Sequence, residues 1–253
     1  MPVDRSAGRV ALVSGGSRGI GRACALALAG DGFDVAVNFR RDADAAADTV
    51  LAIEALGRKA KAYQASVESA QDDDVMVGAV LEDFGSIDTL VHAAGIASRG
   101  NTVVDTDPAE LERVIAIHAL GAHHLCRLVL PSMRTQPRGD VVFVSSVAAK
   151  ILAPNSAPYN MAKAALEALA MTLVKEERRH GIHVNVVAPG LVVTEMGRRL
   201  VRAMGVEDIS TMDANAPFGR VCRPEDVASV VRFLCSAEAG YLSGQVITVD
   251  GGG

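Results

Sequence analysis

Short β-branched apolar runs alternate with longer helical stretches along the whole chain, and this alternation constrains the fold more than any other feature. The runs at residues 10–13, 35–37, 59–64, 87–91, 141–144, 182–187 and 246–249 read as strands. Most are too uniformly apolar to face water on either side, which calls for a parallel sheet covered by helices on both faces. Helical spacing follows between them: residues 20–31, 45–56 closed by Gly57, a stretch ending at Phe84 before Gly85, and a long segment over 107–133. Pro108 sits just inside the start of that long segment, where its missing N–H costs little. Further helices are predicted over 158–180, stopped by Gly181, and over 224–235, while 190–217 reads as irregular or weakly helical. No repeat or linker interrupts the pattern. The prediction is one α/β domain over residues 1–253 with a doubly wound parallel sheet, its ligand site beyond the carboxyl ends of the strands.

Composition narrows the function. The chain is 49% hydrophobic and 22% charged with a formal charge of −5, and it has no Lys/Arg run, which argues against nucleic acid or an anionic membrane as partner. The sequence shows no evident membrane-length apolar stretch of ~18 residues, and residues 1–9 lack the apolar centre of a secretory signal. Cys24, Cys126, Cys222 and Cys235 are widely spaced without a C-x-x-C pair, as expected of reduced thiols in a cytoplasmic protein. Adjacent His123 and His124 cannot face one metal ion from a helix, and no ligand cluster stands elsewhere, so no metal is expected.

Between the first strand and the first helix lies Ser14-Gly15-Gly16-Ser17-Arg18-Gly19-Ile20-Gly21. It satisfies G-x-x-x-G-x-G and not G-x-G-x-x-G. Either pattern provides a tight backbone that lets a pyrophosphate approach the N–H groups at a helix N-terminus. Tyr159 and Lys163 stand four residues apart, one turn apart on a shared helix face. Chance would supply Y-x-x-x-K about 0.06 times in this composition. An ammonium beside a phenol favours the phenolate and brings the group into range for proton transfer.

The glycine loop, Ser146, Tyr159-x-x-x-Lys163 and Asn185-Val-Val-Ala-Pro189-Gly190 together resemble the short-chain dehydrogenase/reductase family, most closely its 3-oxoacyl-[acyl-carrier-protein] reductase group. The resemblance covers residues 9–251 and implies a single Rossmann-type domain that holds a nicotinamide dinucleotide, with a flexible substrate lid at about 194–218. It puts Gly15, Ser17, Arg18, Gly19, Ile20 and Gly21 against the cofactor, with Ser66 and Val67 beside the adenine. It adds Ala93, Ala94 and Gly95 under the cofactor backbone, Tyr159 and Lys163 on the ribose side, and Pro189, Gly190, Val192 and Thr194 around the nicotinamide. Phe39 occupies the position at the second strand's tip where an acid would accept a 2′-hydroxyl. Arg40 and Arg18 flank the place of a 2′-phosphate, whose oxygens suit planar guanidinium donors. NADP(H) is therefore expected over NAD(H).

The same resemblance makes Tyr159 the general acid/base, Lys163 its modulator and ribose anchor, and Ser146 the residue that orients the carbonyl, with Ser145 as competitor. The chain departs from the family pattern at Ser66, where an Asp is frequent, and in two further places. His92 begins His-Ala-Ala-Gly where Asn-Asn-Ala-Gly is usual, and is expected to be structural. His118 replaces the Asn of a proton relay; an imidazole could hold the same water but would titrate near 6.5. The expected function is reduction of a ketone or oxidation of a secondary alcohol, with a 3-oxoacyl thioester as preferred substrate. Alternatives are a steroid, sugar, polyol or other small carbonyl compound, or a decayed dinucleotide-binding sensor. Arg134, Arg138, Arg178 and Arg179 could offer a basic patch to an acidic carrier protein. The small residues Ala162, Ala165, Ala168 and Ala170 could serve a homo-oligomer, a dimer or tetramer.

Overall fold

The computed structural model describes residues 8–252, so residues 1–7 of the N-terminal segment discussed above lie outside the described part. In chain order its main elements are β1 (Val10–Ser14), α1 (Gly19–Gly30), β2 (Asp34–Phe39), α2 (Ala43–Glu54), β3 (Ala60–Gln64), α3 (Ala70–Phe84) and β4 (Thr89–His92). Then come α4 (Pro108–Ile115), a π-helical turn (Ala116–Leu120), α5 (Gly121–Met133), β5 (Gly139–Val144), α6 (Ala148–Ile151), α7 (Ala157–Glu177) and β6 (Ile182–Pro189). The chain ends with α8 (Glu195–Ala203), α9 (Pro224–Leu234) and β7 (Val246–Val249).

All seven strands pair in parallel in the order β3-β2-β1-β4-β5-β6-β7. The order reverses between β1 and β4, which opens a crevice at their carboxyl ends. Strand alternation divides the core. Ala11 and Val13 of β1 face α1 and α9 with Cys24, Leu28, Val227 and Val231, whereas Leu12 faces α3, α5 and α7 with Val77, Leu125 and Leu166. The predicted strands and helices are present with ends moved by a few residues, as fraying and caps allow. Asp107 caps α4 through Ala109 N–H with Pro108 at its first turn, and Gly85 closes α3 in the left-handed region.

Three expectations are corrected. The segment Pro108–Met133 is long and apolar enough by hydropathy to cross a membrane, but over half of its apolar window is buried against the sheet, as a core helix must be. Residues 190–217 contain a genuine helix, α8, capped by Thr194, whose side chain accepts from Gly197 N–H. Finally, Ala162 and Ala170 are buried while Ala165 and Ala168 are exposed, so the four alanines do not form one face.

Candidate active site

The glycine loop turns back tightly enough that a Cβ on Gly21 would meet the carbonyl of Gly15, and one on Gly15, itself at φ 65°, would meet the backbone of Ala94. Asn38, which sequence reasoning missed, fixes this loop. Its buried amide accepts from Gly15 N–H at 3.2 Å and donates to Ala65 O at 3.1 Å, while its carbonyl accepts from Gly16 N–H at 2.9 Å. A polar residue inside an otherwise apolar strand was the available signal. Thr49 of α2 braces the loop by donating to Ser17 O at 3.2 Å. Arg18 gives α1 no side-chain cap, and its first turn carries no acid, so those N–H groups are left for an anion. The loop therefore fits a pyrophosphate. Ile20 packs on the α1 side of the core, and Thr194 lies beside Gly19.

Beside the tips of β2 and β3, an open cleft of about 600 Å³ is bordered by Arg40, Ser66, Glu68 and Asp72. Phe39 and Val67, next in sequence to Arg40 and Ser66, are buried. Both arginines expected at a 2′-phosphate already have acidic neighbours. Arg40 pairs with Glu68 at 2.8 Å and Arg18 with Asp42 at 3.2 Å. Ser66 donates its hydroxyl to the same Glu68 at 3.2 Å and its N–H to Asp72 at 3.2 Å. Arg113 reaches Glu68 from α4 at 3.4 Å.

At the switch point, Ser14 Oγ accepts from the N–H groups of Ala93 and Ala94, each at 3.2 Å. Its own proton is then directed to His92 Nδ1, 3.0 Å away, which leaves the His92 proton on Nε2. The imidazole is buried, with Nε2 facing the backbone of Ile117 and His118 short of a hydrogen bond. Burial, then the nearby Lys163 charge, pushes its pKa down to about 3. His92 is structural, as expected.

Tyr159, Lys163 and Ser146 converge at the ends of β5 and α7. Tyr159 is in hydrogen-bonding contact with Ser146, which lowers its pKa, but burial is the larger effect and holds the phenol above its ordinary value. Lys163 donates to Val144 O at 2.7 Å and sits 5.6 Å from the centre of the Tyr159 ring. Its burial pushes the ammonium down to about 7, against a smaller upward effect of Glu167. The expected phenolate-favouring shift is thus reversed: burial is the largest effect on each group and moves both toward their neutral forms. Ser146 accepts from Ala148 N–H at 3.2 Å and lies 3.4 Å from Pro189 O. Ser145 points elsewhere and donates to Glu167 Oε1 at 2.8 Å, so the two serines have separate partners.

His118 sits in the π-helical turn, where an extra residue re-aims side chains. Its ring stands edge-on to Tyr159 with centroids 5.4 Å apart. Nε2 lies 2.8 Å from Ile96 O and 3.1 Å from Ile96 N; the shorter contact assigns the proton to Nε2. Nδ1 is buried without a partner, and Gly95 leaves room for the ring where any Cβ would strike it. Desolvation, then the Lys163 charge, holds His118 well below the ordinary imidazole range. Enclosure of the ring beside a cationic side chain thus moves its titration below the 6.5 expected from the residue type.

The turn expected on the nicotinamide side runs from Pro189 through Gly190, whose N–H bonds Val249 O at 3.1 Å, to Val192, bridged to Cys222, and Thr194. Two of the four arginines considered for a basic patch are paired with acids of this chain, Arg134 while itself exposed. Arg134 grips the buried Glu177, and Arg138 grips the buried Asp140. No group of His, Cys and carboxylates able to hold a metal occurs among the described residues.

The profile of the family described as enoyl-(acyl carrier protein) reductase matches residues 15–253. A 3-oxoacyl-[acyl-carrier-protein] reductase of Synechocystis sp. is 37% identical over 245 residues, 96% of each chain. Among solved structures, a dehydrogenase/reductase from Sinorhizobium meliloti 1021 superposes with a TM-score of 0.88 at 30% identity, covering 97% of this chain and 95% of that one. A 7α-hydroxysteroid dehydrogenase complexed with NADH and 7-oxo glycochenodeoxycholic acid gives a TM-score of 0.88 at 30% identity, covering 99% and 96%. The chain belongs to the short-chain dehydrogenase/reductase family and is an oxidoreductase of that type. A nicotinamide dinucleotide is the family's typical cofactor.

Proposed function

We propose that this oxidoreductase interconverts a ketone and a secondary alcohol with NADP(H) in preference to NAD(H), and that a 3-oxoacyl thioester is its preferred substrate. The convergence of Ser146, Tyr159 and Lys163 beyond β5 is the observation that carries the reading. When bound, the cofactor supplies the hydride. Ser146 orients the substrate oxygen. Tyr159, kept protonated by burial, donates its proton to that oxygen as negative charge develops there. Lys163 in its charged form stabilises the phenolate left behind.

The choice of cofactor rests on Arg40 and Arg18 beside Phe39, with no acid at the tip of β2. Their pairing with Glu68 and Asp42 favours a second reading of the cofactor, in which the 2′-position is not a phosphate. The alternative substrate is another small carbonyl compound such as a steroid, sugar or polyol. The similarity to 3-oxoacyl reductases supports the thioester, and the hydroxysteroid relative supports the alternative. A cytoplasmic homo-oligomer, dimer or tetramer, acting on a small-molecule or acyl-thioester substrate without nucleic acid or membrane, completes the proposal. Light scattering tests the assembly.

The decisive experiment is a panel of ketones, including a 3-oxoacyl thioester, assayed with NADPH and with NADH. Fastest turnover of the thioester with NADPH is the expected result. Equal efficiency with both cofactors overturns the cofactor assignment. Tight dinucleotide binding with no turnover on any ketone moves the chain to a sensor.

A further inference from the structure

Lys163 stands in a ring of groups that are unusually poor in negative charge. From α7 it is faced by Tyr159, held as a neutral phenol, and one turn further on by Glu167. From β4 it is faced by His92 and from the π-helical turn by His118, two buried imidazoles where the family pattern has amides. From β5 it meets the Val144 carbonyl, a dipole and not a charge. Among the described residues, Glu167 is the one acid that acts on it. That carboxylate is not loose: Ser145, buried at the end of β5, gives its only hydroxyl proton to Glu167 Oε1 at 2.8 Å, while its N–H is fixed to Val187 O at 2.7 Å. Lys163 and Glu167 share a helix face through their i, i+4 spacing, and β5 pins both, one through Val144 and the other through Ser145.

We infer that Glu167, oriented by Ser145, is a positioning residue that supplies the counter-charge keeping the Lys163 side chain an ammonium in the working site. The inference assigns the second serine a task separate from Ser146, and it rests on the proposed role of Lys163 only for its catalytic consequence. A titratable ring such as His118 offers no substitute, because a neutral imidazole carries no charge and a protonated one repels the ammonium. Removing the Glu167 charge therefore destabilises the charged form of Lys163, and its titration moves to lower pH.

The test uses the full-length protein labelled with 13C at lysine Cε. Only Lys59, Lys61, Lys150, Lys163 and Lys175 contribute signals, and Lys163→Arg identifies the one that matters. Glu167→Gln keeps an acceptor for Ser145 and removes only the charge. It should lower the Lys163 titration midpoint by about one pH unit, a size set by a charge one helical turn away. Ser145→Ala, which keeps the charge but frees the carboxylate, should lower it by about half as much. In a ketone assay the alkaline limb of kcat/KM should move by the same amounts, with little change in NADPH affinity. An unmoved Lys163 midpoint in Glu167→Gln overturns the inference. If that variant does not fold, an unmoved midpoint in Ser145→Ala does the same. The lysine titration needs no substrate, so it stands even if every ketone in the panel is inert. Conversely, an active enzyme whose Lys163 ignores both substitutions refutes the positioning role and leaves the proposed reaction intact.

Discussion

The two ends of the crevice handle charge in opposite ways. At the β2–β3 end, Arg40, Arg18, Glu68 and Asp42 remain solvent-accessible and neutralise one another in pairs of 2.8 Å and 3.2 Å. At the β5–α7 end, Lys163, His92 and His118 are enclosed and Tyr159 is half-buried, and desolvation drives all four toward their neutral forms. Pairing at a surface is weak, screened by salt and easily exchanged for another anion. Burial is costly, local and insensitive to salt. The first end is suited to choosing between dinucleotides, and the second to moving a proton without solvent. Each end can be perturbed separately.

The largest effect belongs to the buried end. Tyr159→Phe removes the proton donor and leaves all the other expected cofactor contacts in place, so ketone reduction should fall by about 10²–10⁴-fold with dinucleotide affinity nearly unchanged. Stopped-flow fluorescence of NADPH binding beside steady-state turnover makes the separation. Retention of most turnover would mean the acid lies elsewhere.

At the exposed end, Arg40→Asp puts a like charge beside a 2′-phosphate and should cut the NADPH:NADH ratio of kcat/KM by about 10–100-fold. Glu68→Gln removes the competing anion and should raise the same ratio by several-fold. Both shifts should shrink in high salt. An Arg40→Asp variant with an unaltered ratio would show that the Arg40–Glu68 pair is only a surface ion pair.

The pH dependence contrasts two buried groups that sequence alone treats alike. Reduction needs Tyr159 protonated and Lys163 charged. The first condition holds through neutral pH because the phenol is raised. The second is lost as pH rises through the Lys163 value of about 7. Activity should therefore decline on the alkaline side, about tenfold per pH unit at the limit. His118, held well below its ordinary range, should produce no acid limb near 6.5. His118→Asn should give an acid side superimposable on the parent. A limb near 6.5 that disappears in His118→Asn would reinstate the titrating imidazole.

What could be read from the sequence follows the same division. Periodicity and apolar runs located the strands: those buried on both faces leave a continuous signature, whereas β3, with only Tyr63 buried, leaves a weaker one. The glycine loop and Y-x-x-x-K were legible because their chemistry depends on spacing along one element. Asn38, the Ser145–Glu167 bond and the Arg40–Glu68 pair were not, since each joins residues on different elements that only the sheet order brings together. Nor did the 118 position reveal its silence. An imidazole's ordinary pKa is a property of the residue, whereas its depression comes from burial and from Lys163, 45 positions away in sequence. Residues 190–217 hid α8 because its first turn depends on a Thr194 cap and its polar face masks a short apolar one, Val201 being buried while Arg198, Arg199 and Arg202 stay exposed.

The smallest expected effect on activity isolates burial itself. Asp73 lies on the inward face of α3 in line with Met76, Val77 and Val80, and neither carboxylate oxygen has a hydrogen-bond partner. The nearest cationic candidate, His124 on α5, is 4.0 Å away and is itself disfavoured in its charged form by desolvation, with His123 and Arg127 adding repulsion. Burial first, then the neighbouring Asp72, raises Asp73 to about 7. For an acid raised in the folded state, the folded chain binds the extra proton between its ordinary value near 4 and about 7. Stability therefore falls as pH rises through that window and is flat above it. Lys163, a base lowered to about 7, has the opposite slope at higher pH, with stability rising from about 7 toward its ordinary value. Asp73→Leu extends the apolar face of α3 and removes the orphaned charge. It should stabilise the protein by about 1–3 kcal/mol at pH 8, by less at pH 5, and leave turnover unchanged. Urea unfolding at the two pH values measures the difference. An equal gain at both would assign it to packing alone; a loss would show that His124 is a real partner and that this carboxylate, like those of the exposed end, is stabilised by pairing.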